Sequence, residues 1–373
     1  MSGAPLPPIV CFSNLDWDYL RYRKQHLMER IARTTPVVYV NPPRALKWKQ
    51  PSRWGAVTEV APGVRVYEPP VFPGIRHGSW LKAVNYRVIA AALRDLLPPG
   101  TKPLLWIYSP HAEPFTELLD AGLVVYDMAD DYAVPTGAVL RDRAEARELD
   151  TLARLERVLL ARADVVFAVS QPLHDKAVAG GARYVRLLPN GCDIERYADR
   201  EGPRRGSRPI IGYVGTVAPR FDVELVCELA RLRPAWSFEI VGPVTPHVAL
   251  PPDPPANLHW VGEMPYAEVP STIRRFDAGI LPLREIDYAY KSSPIQVFDY
   301  LAAGKPVVSS PIAQFEAWPS LVTTARGAAG FATALDEALG FDCAEQQELR
   351  HQFARGHSWE ARAASALETI AAA

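Results

Sequence analysis

Residues able to do chemistry gather at three places in this 373-residue chain. The first is YAYKSSPIQVFDYLAAGKPVVSS (288–310). Ser293 at a helix N-cap, Pro294 at the first helical position and Gln296 three residues after the serine predict a Ser-x-x-Gln capping box. A helix start whose N–H groups are free also attracts an anion, and Lys291 and Ser292 stand beside it. The second is VVYDMADDYAVPTG (124–137), where Asp127, Asp130 and Asp131 close a strand-like run. Carboxylates beyond the carboxyl end of a strand lie in the crevice of an α/β sheet, where one can take a proton from a hydroxyl. They serve equally to cap a following helix or form a turn. The third is SNLDWDYLRYRKQHL (13–27), which offers Asp16, Asp18, Arg23 and His26 to the same crevice. Asp18 also reads as a helix N-cap.

These groups need a scaffold, and the alternation of short β-branched runs with longer helical patterns predicts parallel sheets with crossover helices. Within 288–310, Ile295, Phe298, Leu301 and Ala302 share one helix face, Gly304 ends the helix, and Pro306-Val307-Val308 reads as a buried strand. In the first half the strand candidates are IVCFS (9–13), VVYV (37–40), LLWIY (104–108), VVYDM (124–128), VVFAVS (165–170) and YVRLLP (184–189). ADREGPRRGSRP (198–209) breaks the series and reads as a linker. A second series opens at IIGYVGT (210–216) and runs through SFEIVG, NLHWVG, AGILPL and PVVSS. This predicts a doubly wound domain at 1–198, a linker at 199–208 and a second doubly wound domain at 209–350. A C-terminal helix at 351–373, opened by Ser358, is expected to pack back on the first domain.

Composition narrows the class. With 48% hydrophobic and 22% charged residues the chain can bury two cores, and a net charge of −1 does not suggest a nucleic-acid binder. Cys11, Cys192, Cys227 and Cys343 lack the spacing of a zinc site or disulfide framework, which fits a reducing cytoplasmic setting. No leader-like N-terminus and no spanning apolar run is read. Basic and aromatic residues mingle in PPRALKWKQPSRW (42–54), with Arg44, Lys47, Trp48, Lys49, Arg53 and Trp54, and again in RHGSWLKAVNYR (76–87). That composition suits either an ordinary solvated loop or peripheral contact with an anionic membrane.

Four motifs in order resemble the GT-B glycosyltransferases of the family 4 type. ADVVFAVSQPLHDKAVAGGARYVRLLPNGCDIERY (163–197) resembles the end of their first domain. IIGYVGT resembles their donor-domain glycine loop, LHWVGEMPYAEVPSTIRRFDAGILPL (258–283) the segment beneath the base, and the 288–310 stretch their last phosphate-binding helix. Bacterial exopolysaccharide and cell-envelope transferases, including xanthan-type glucuronosyltransferases, are similar. The resemblance implies a GT-B architecture: two Rossmann-like domains facing a cleft, with the C-terminal helix crossing back. It implies sugar transfer from a nucleotide-sugar donor to a glycan or lipid-linked acceptor, with no metal and no further cofactor; the expected setting is the cytoplasm, either free or at the inner face of the cytoplasmic membrane.

On the donor side it implies roles for Gly215, Thr216, Arg220, Glu263, Tyr290, Lys291, Ser292, Ser293, Gln296 and Asp299. A leaving diphosphate needs positive potential, which the helix start, Lys291 and Arg220 would supply. Two positions depart from the usual pattern: Lys291 stands where a glutamate is common, and Gln296 where a lysine is common. Lys291 could pair with a donor carboxylate or with phosphate. On the acceptor side the alignment selects Asp130 as general base, with Asp131 second; a configuration-retaining reaction needs no such base. DWD also looks like a metal-holding Asp-x-Asp, but it comes too early and leaves the second domain unexplained. A sugar-nucleotide epimerase and a non-catalytic scaffold are the competing readings. A dinucleotide oxidoreductase is disfavoured, since no Gly-x-Gly-x-x-Gly follows a first strand.

Overall fold

A computed structural model describes residues 6–43, 53–71, 79–135, 142–197 and 208–373. The first domain is an eight-stranded sheet of β1 (Ile9–Phe12), β2 (Val37–Val40), β3 (Val57–Ala61), β4 (Val64–Tyr67), β5 (Leu104–Ile107), β6 (Leu123–Met128), β7 (Val165–Ala168) and β8 (Val185–Leu187). Their order is β3-β4-β2-β1-β5-β6-β7-β8, parallel throughout except for the β3/β4 hairpin at one edge. The chain winds outward from β1 to β2, then returns to β5 on β1's other side. That reversal places the crevice where β1 and β5 part. Every residue of β1, β2, β5 and β7 is buried, as helices on both faces require.

Those helices are α1 (Arg23–Ile31), α2 (Ser79–Asp95), α3 (Phe115–Leu118), α4 (Arg143–Arg162) and α5 (Gln171–Ala179). The second domain is an all-parallel sheet of β9 (Ile210–Val214), β10 (Ser237–Val241), β11 (Leu258–Gly262), β12 (Ala278–Leu281), β13 (Val307–Ser309) and β14 (Val322–Thr324), in the order β11-β10-β9-β12-β13-β14. It reverses between β9 and β12, so the two switch points face each other. Its helices are α6 (Val223–Leu232), α7 (Val269–Arg275), α8 (Asp287–Tyr290), α9 (Ile295–Ala302), α10 (Gly327–Gly340) and α11 (Ala344–Gly356). The two doubly wound parallel domains expected from the sequence are both present.

The last helix, α12 (Trp359–Ala371), returns to the first domain. Its Trp359, Ala363, Ala366 and Ile370 join the core formed by Ile9, Leu27 and Trp106. Ser358 caps it, Oγ accepting the Ala361 N–H at 3.2 Å. The crossing therefore begins at Ser358, not at 351, because α11 still packs on α9 in the second domain. Cys192 N–H donates to the His357 carbonyl and Trp359 N–H to that of Cys192, so the two chain crossings run side by side. Gly191 permits this approach: a Cβ there would lie 2.4 Å from the His357 carbonyl oxygen.

The linker read at 199–208 lies outside the described residues except for Arg208. Arg44, Lys47, Trp48 and Lys49 of the first basic-aromatic run also lie outside them.

Candidate active site in the interdomain cleft

A cleft of about 560 Å³ separates the two switch points. Its second-domain wall begins where β9 ends. Gly215 adopts φ +152°, and a Cβ there would fall 2.2 Å from Gln296 Nε2. Gly242, at the end of β10, has φ +135° and no room for a Cβ beside the Gly215 carbonyl oxygen. Glycine at both positions lets backbone rather than side chains line this corner.

Opposite it stands the start of α9, and here the capping box fails. Pro294 has an extended backbone (φ −62°, ψ 125°) and is itself the N-cap, without a side-chain cap bond. Helix α9 thus starts one residue later than the sequence suggested. Asn190 Nδ2 donates to the Ser293 carbonyl at 2.6 Å, holding residue 293 out of the cap position. Gln296 becomes the second helical residue and turns toward Gly215 and Tyr213. Ser293 is buried, lines the cleft, and its Oγ makes no hydrogen bond among the described residues. The first-turn N–H groups of α9 receive no side-chain acceptor, so an oxyanion seated there would meet donors that need partners.

Arg220 adds a cation to the same wall. No carboxylate lies within ion-pair distance among the described residues. Burial works against its charge, but the neighbouring Tyr288 and Tyr213 phenols and Asp130 outweigh this and raise its pKa. Asp299 lines the cleft one turn along α9. Burial lifts its pKa to about 7; a hydrogen bond from Tyr197 pulls down and the nearby Asp193 charge pushes up. Thr216 faces Tyr22 across the cleft, hydroxyl to hydroxyl at 3.2 Å, while Ser292 lines the wall and Glu263 stands exposed at the rim.

Two donor-side expectations point elsewhere. Lys291 does not face the cleft: its Nζ bonds Asp287 at 2.6 Å and Asp131 at 3.3 Å. It ties the domains together and does not reverse the charge near a donor sugar. Tyr290 is exposed and donates to Glu316 at 2.9 Å, outside the cleft.

On the first-domain wall the three carboxylates after β6 separate. Asp127 is fully buried, with both oxygens 3.0 Å from Arg23 Nε and one 3.3 Å from Trp106 Nε1. Asp131 is buried between Lys176 at 2.6 Å and Lys291, which removes it as a base. Asp130 alone of the three lines the cleft, and it accepts the Tyr288 hydroxyl at 2.8 Å from the opposite domain.

Arg23 lines the cleft above Asp127. His26 does too, but burial drops its pKa to about 3, and it stacks on Trp359 at 4.9 Å and 5°. It is a packed neutral ring, unsuited to taking a proton at neutral pH. Asp18 is exposed at the mouth and caps nothing, since the N-cap of α1 is Tyr22, whose N–H donates to Gln25 Oε1. Asp16 does not line the cleft.

The cleft also holds groups that the sequence reading passed over: Lys24, Tyr22, Asn190, Tyr266 and Tyr288. Asn190 and Asp193 sit inside the Pro-Asn-Gly-x-Asp pattern. Burial works against the Asp193 charge, but Arg30 and the Tyr266 hydroxyl hold its pKa below the usual value. Tyr266 follows directly on the Glu-Met-Pro segment, and Lys24 lies within the basic run after β1. Each stood in a motif already singled out, but no period or spacing marks a tyrosine or lysine as cleft-facing.

Residues 220–368 match the family described as Glycosyl transferase-like. The chain has the GT-B fold, and its second half is glycosyltransferase-like in sequence. The matched segment carries the second-domain wall from Arg220 to Asp299, while Arg23, Lys24 and Asp130 precede it. Over 94% of both chains, the sequence is 28% identical to the putative teichuronic acid biosynthesis glycosyltransferase TuaH of Bacillus subtilis (strain 168). The fold is similar to sucrose-phosphate synthase from Thermosynechococcus elongatus, with a TM-score of 0.71 and 16% identity over 98% of each chain. It is also similar to the E. coli trehalose-6-phosphate protein bound with UDP-2-fluoro glucose, with a TM-score of 0.70 and 11% identity over 98% of this chain and 99% of that one. WaaG, a glycosyltransferase involved in lipopolysaccharide biosynthesis, gives a TM-score of 0.64 and 16% identity over 97% and 99%. Among the described residues no helix is long and apolar enough to cross a membrane.

Proposed function

We propose that the enzyme moves a sugar from a nucleotide-sugar donor to a hydroxyl of a glycan or lipid-linked acceptor in envelope or exopolysaccharide assembly, without a metal ion. The observation that carries this reading is the set of unmet donors on one wall, facing one carboxylate on the other. The uncapped start of α9, and Ser293 Oγ and the Arg220 side chain, which have no hydrogen-bond or ion-pair partner among the described residues, suit a diphosphate. Asp299 suits the ribose hydroxyls, which would donate to its ionised form.

In a single displacement the acceptor oxygen bonds to the anomeric carbon as the bond from that carbon to the diphosphate breaks. The bonding pair leaves with the diphosphate, whose growing charge Arg220 and α9 stabilise before any solvent rearranges. The acceptor proton passes to Asp130, which Tyr288 orients from the donor side. Membrane contact is part of the proposal: Trp80, Val84 and Val88 form an exposed apolar stripe on α2, with Arg87 exposed beside them and Lys82 nearby. Recovery of the protein wholly in the supernatant with anionic vesicles at low salt would remove that part.

The central test is calorimetric titration with UDP, GDP, dTDP and ADP in metal-free buffer. One nucleotide should bind selectively, and Arg220→Ala should weaken it by about 10- to 100-fold, the worth of a charge-assisted contact. Failure to bind any of the four would overturn the donor site.

A further inference from the structure

The first-domain wall carries two adjacent cations that the transfer chemistry leaves idle. Arg23 is 2% exposed and Lys24 3%, yet both line the cleft. Arg23 commits Nε to Asp127 and Nη1 to the Pro189 carbonyl at 3.2 Å and Asn190 Oδ1 at 3.4 Å. Its Nη2 is buried with no hydrogen-bond partner among the described residues. Lys24 makes no hydrogen bond or ion pair among those residues. Its Nζ lies 5.0 Å from the centroid of the Tyr108 ring, and the Tyr108 hydroxyl is also buried without a partner among those residues.

Leaving an ammonium out of water with no counter-ion costs several kcal/mol unless something pairs with it. Burial accordingly depresses the Lys24 pKa, and the charges of Asp130 and Asp127 only partly restore it. Asp127 is already saturated by Arg23 and Trp106. Both groups open on the same cleft, and a guanidinium N–H together with an ammonium is the donor set that a carboxylate or phosphate satisfies. Donor phosphates have their own partners across the cleft, which leaves this pair to the acceptor.

We propose that Lys24 and the free Nη2 of Arg23 form a subsite for an anionic substituent of the acceptor, a carboxylate or a phosphate ester. The subsite lies beside Asp130, so an acceptor held there presents a hydroxyl of the same sugar to the base. The assignment rests on the reading of the first domain as the acceptor side.

The test uses the full chain saturated with whichever nucleotide the panel selects, titrated with glucuronate, glucose 6-phosphate and glucose. At least one acid should bind about tenfold or more tightly than glucose, and which one binds separates carboxylate from phosphate. Lys24→Gln should erase that advantage, Lys24→Arg should keep most of it, and neither should change nucleotide affinity. The proposal falls if glucose binds as tightly as both acids, if neither acid binds, or if Lys24→Gln binds the acids as the wild type does. Failure of the donor reading appears separately, as absent nucleotide binding, and the same sugar titrations on nucleotide-free protein then decide the subsite alone.

Discussion

Replacing Asp299 by asparagine should make the protein more stable at slightly alkaline pH and poorer at holding a nucleotide. Burial raises this carboxyl from its ordinary 3.8 to about 7. A folded-state pKa above the unfolded value means that the folded chain binds the extra proton, so the stabilisation is full below about pH 4 and fades as pH rises through 7. Between pH 5 and pH 8 this withdraws about 2–3 kcal/mol for full burial, and about 1–2 kcal/mol for a carboxyl that is only part-buried on the cleft wall. For domains of this size that is a shift on the order of 2–8 °C in Tm. His26 and His357, lowered to about 3 and about 4, act in the opposite sense: their neutral folded forms gain stability as pH rises through the unfolded value near 6.5. The wild-type profile is therefore a sum, and only the difference between wild type and variant isolates Asp299. Thermal unfolding at pH 5 and pH 8 should show a Tm drop several degrees larger in the wild type than in Asp299→Asn. Nucleotide titrations should show wild-type affinity rising from pH 6 to pH 8 as the carboxylate forms, with a flatter and weaker response in the variant. Parallel pH profiles in the two proteins would refute the reasoning, since a solvated Asp299 would neither destabilise the fold nor titrate near 7.

Asp130→Asn should lower kcat by about 10²- to 10⁴-fold with nucleotide affinity unchanged, measured as product formation and by titration; a small loss together with retained anomeric configuration would remove the base role. Tyr288→Phe deletes the 2.8 Å bond to Asp130 and should cost about 2- to 10-fold in kcat/KM, without a comparable change in Tm. Trp359→Ala should destabilise by about 3–5 kcal/mol in denaturant unfolding, because a ring 1% exposed, stacked on His26 and embedded in the first-domain core leaves a cavity.

The sheets were legible because their strands are buried on both faces and so appear as unbroken apolar runs, as in VVYV and VVFA. The β3/β4 hairpin was not, since β3 is exposed along its length and carries no such signal. β14 is only three residues long, with Thr323 and Thr324 exposed. At the site, residues held by backbone geometry were readable from residue type: Gly215 because only glycine fits its φ, and Asp130 because it follows a strand end. Side-chain direction was not readable. Lys291 reads as a cation beside an anion site, and only the fold brings Asp131 within its reach from 160 positions away.

The misplacement of Ser293 has the same origin and carries the wider point. Local grammar assigns this serine to cap its own helix, but Asn190 takes its carbonyl and Ser170 takes that of Lys291 at 2.6 Å. Both partners belong to the first domain, from the Val-Ser and Pro-Asn-Gly motifs. The segment that would seat the diphosphate is therefore positioned by the domain that would hold the acceptor. The same union frees the Ser293 hydroxyl and the first N–H groups of α9, which a local cap would have consumed. Separating the domains would take away Asn190 and Ser170, the two donors that hold this segment's carbonyls. In this architecture the proposed anion site is complete only when both walls are in place, so a leaving group bound there would be stabilised where the acceptor side is also assembled.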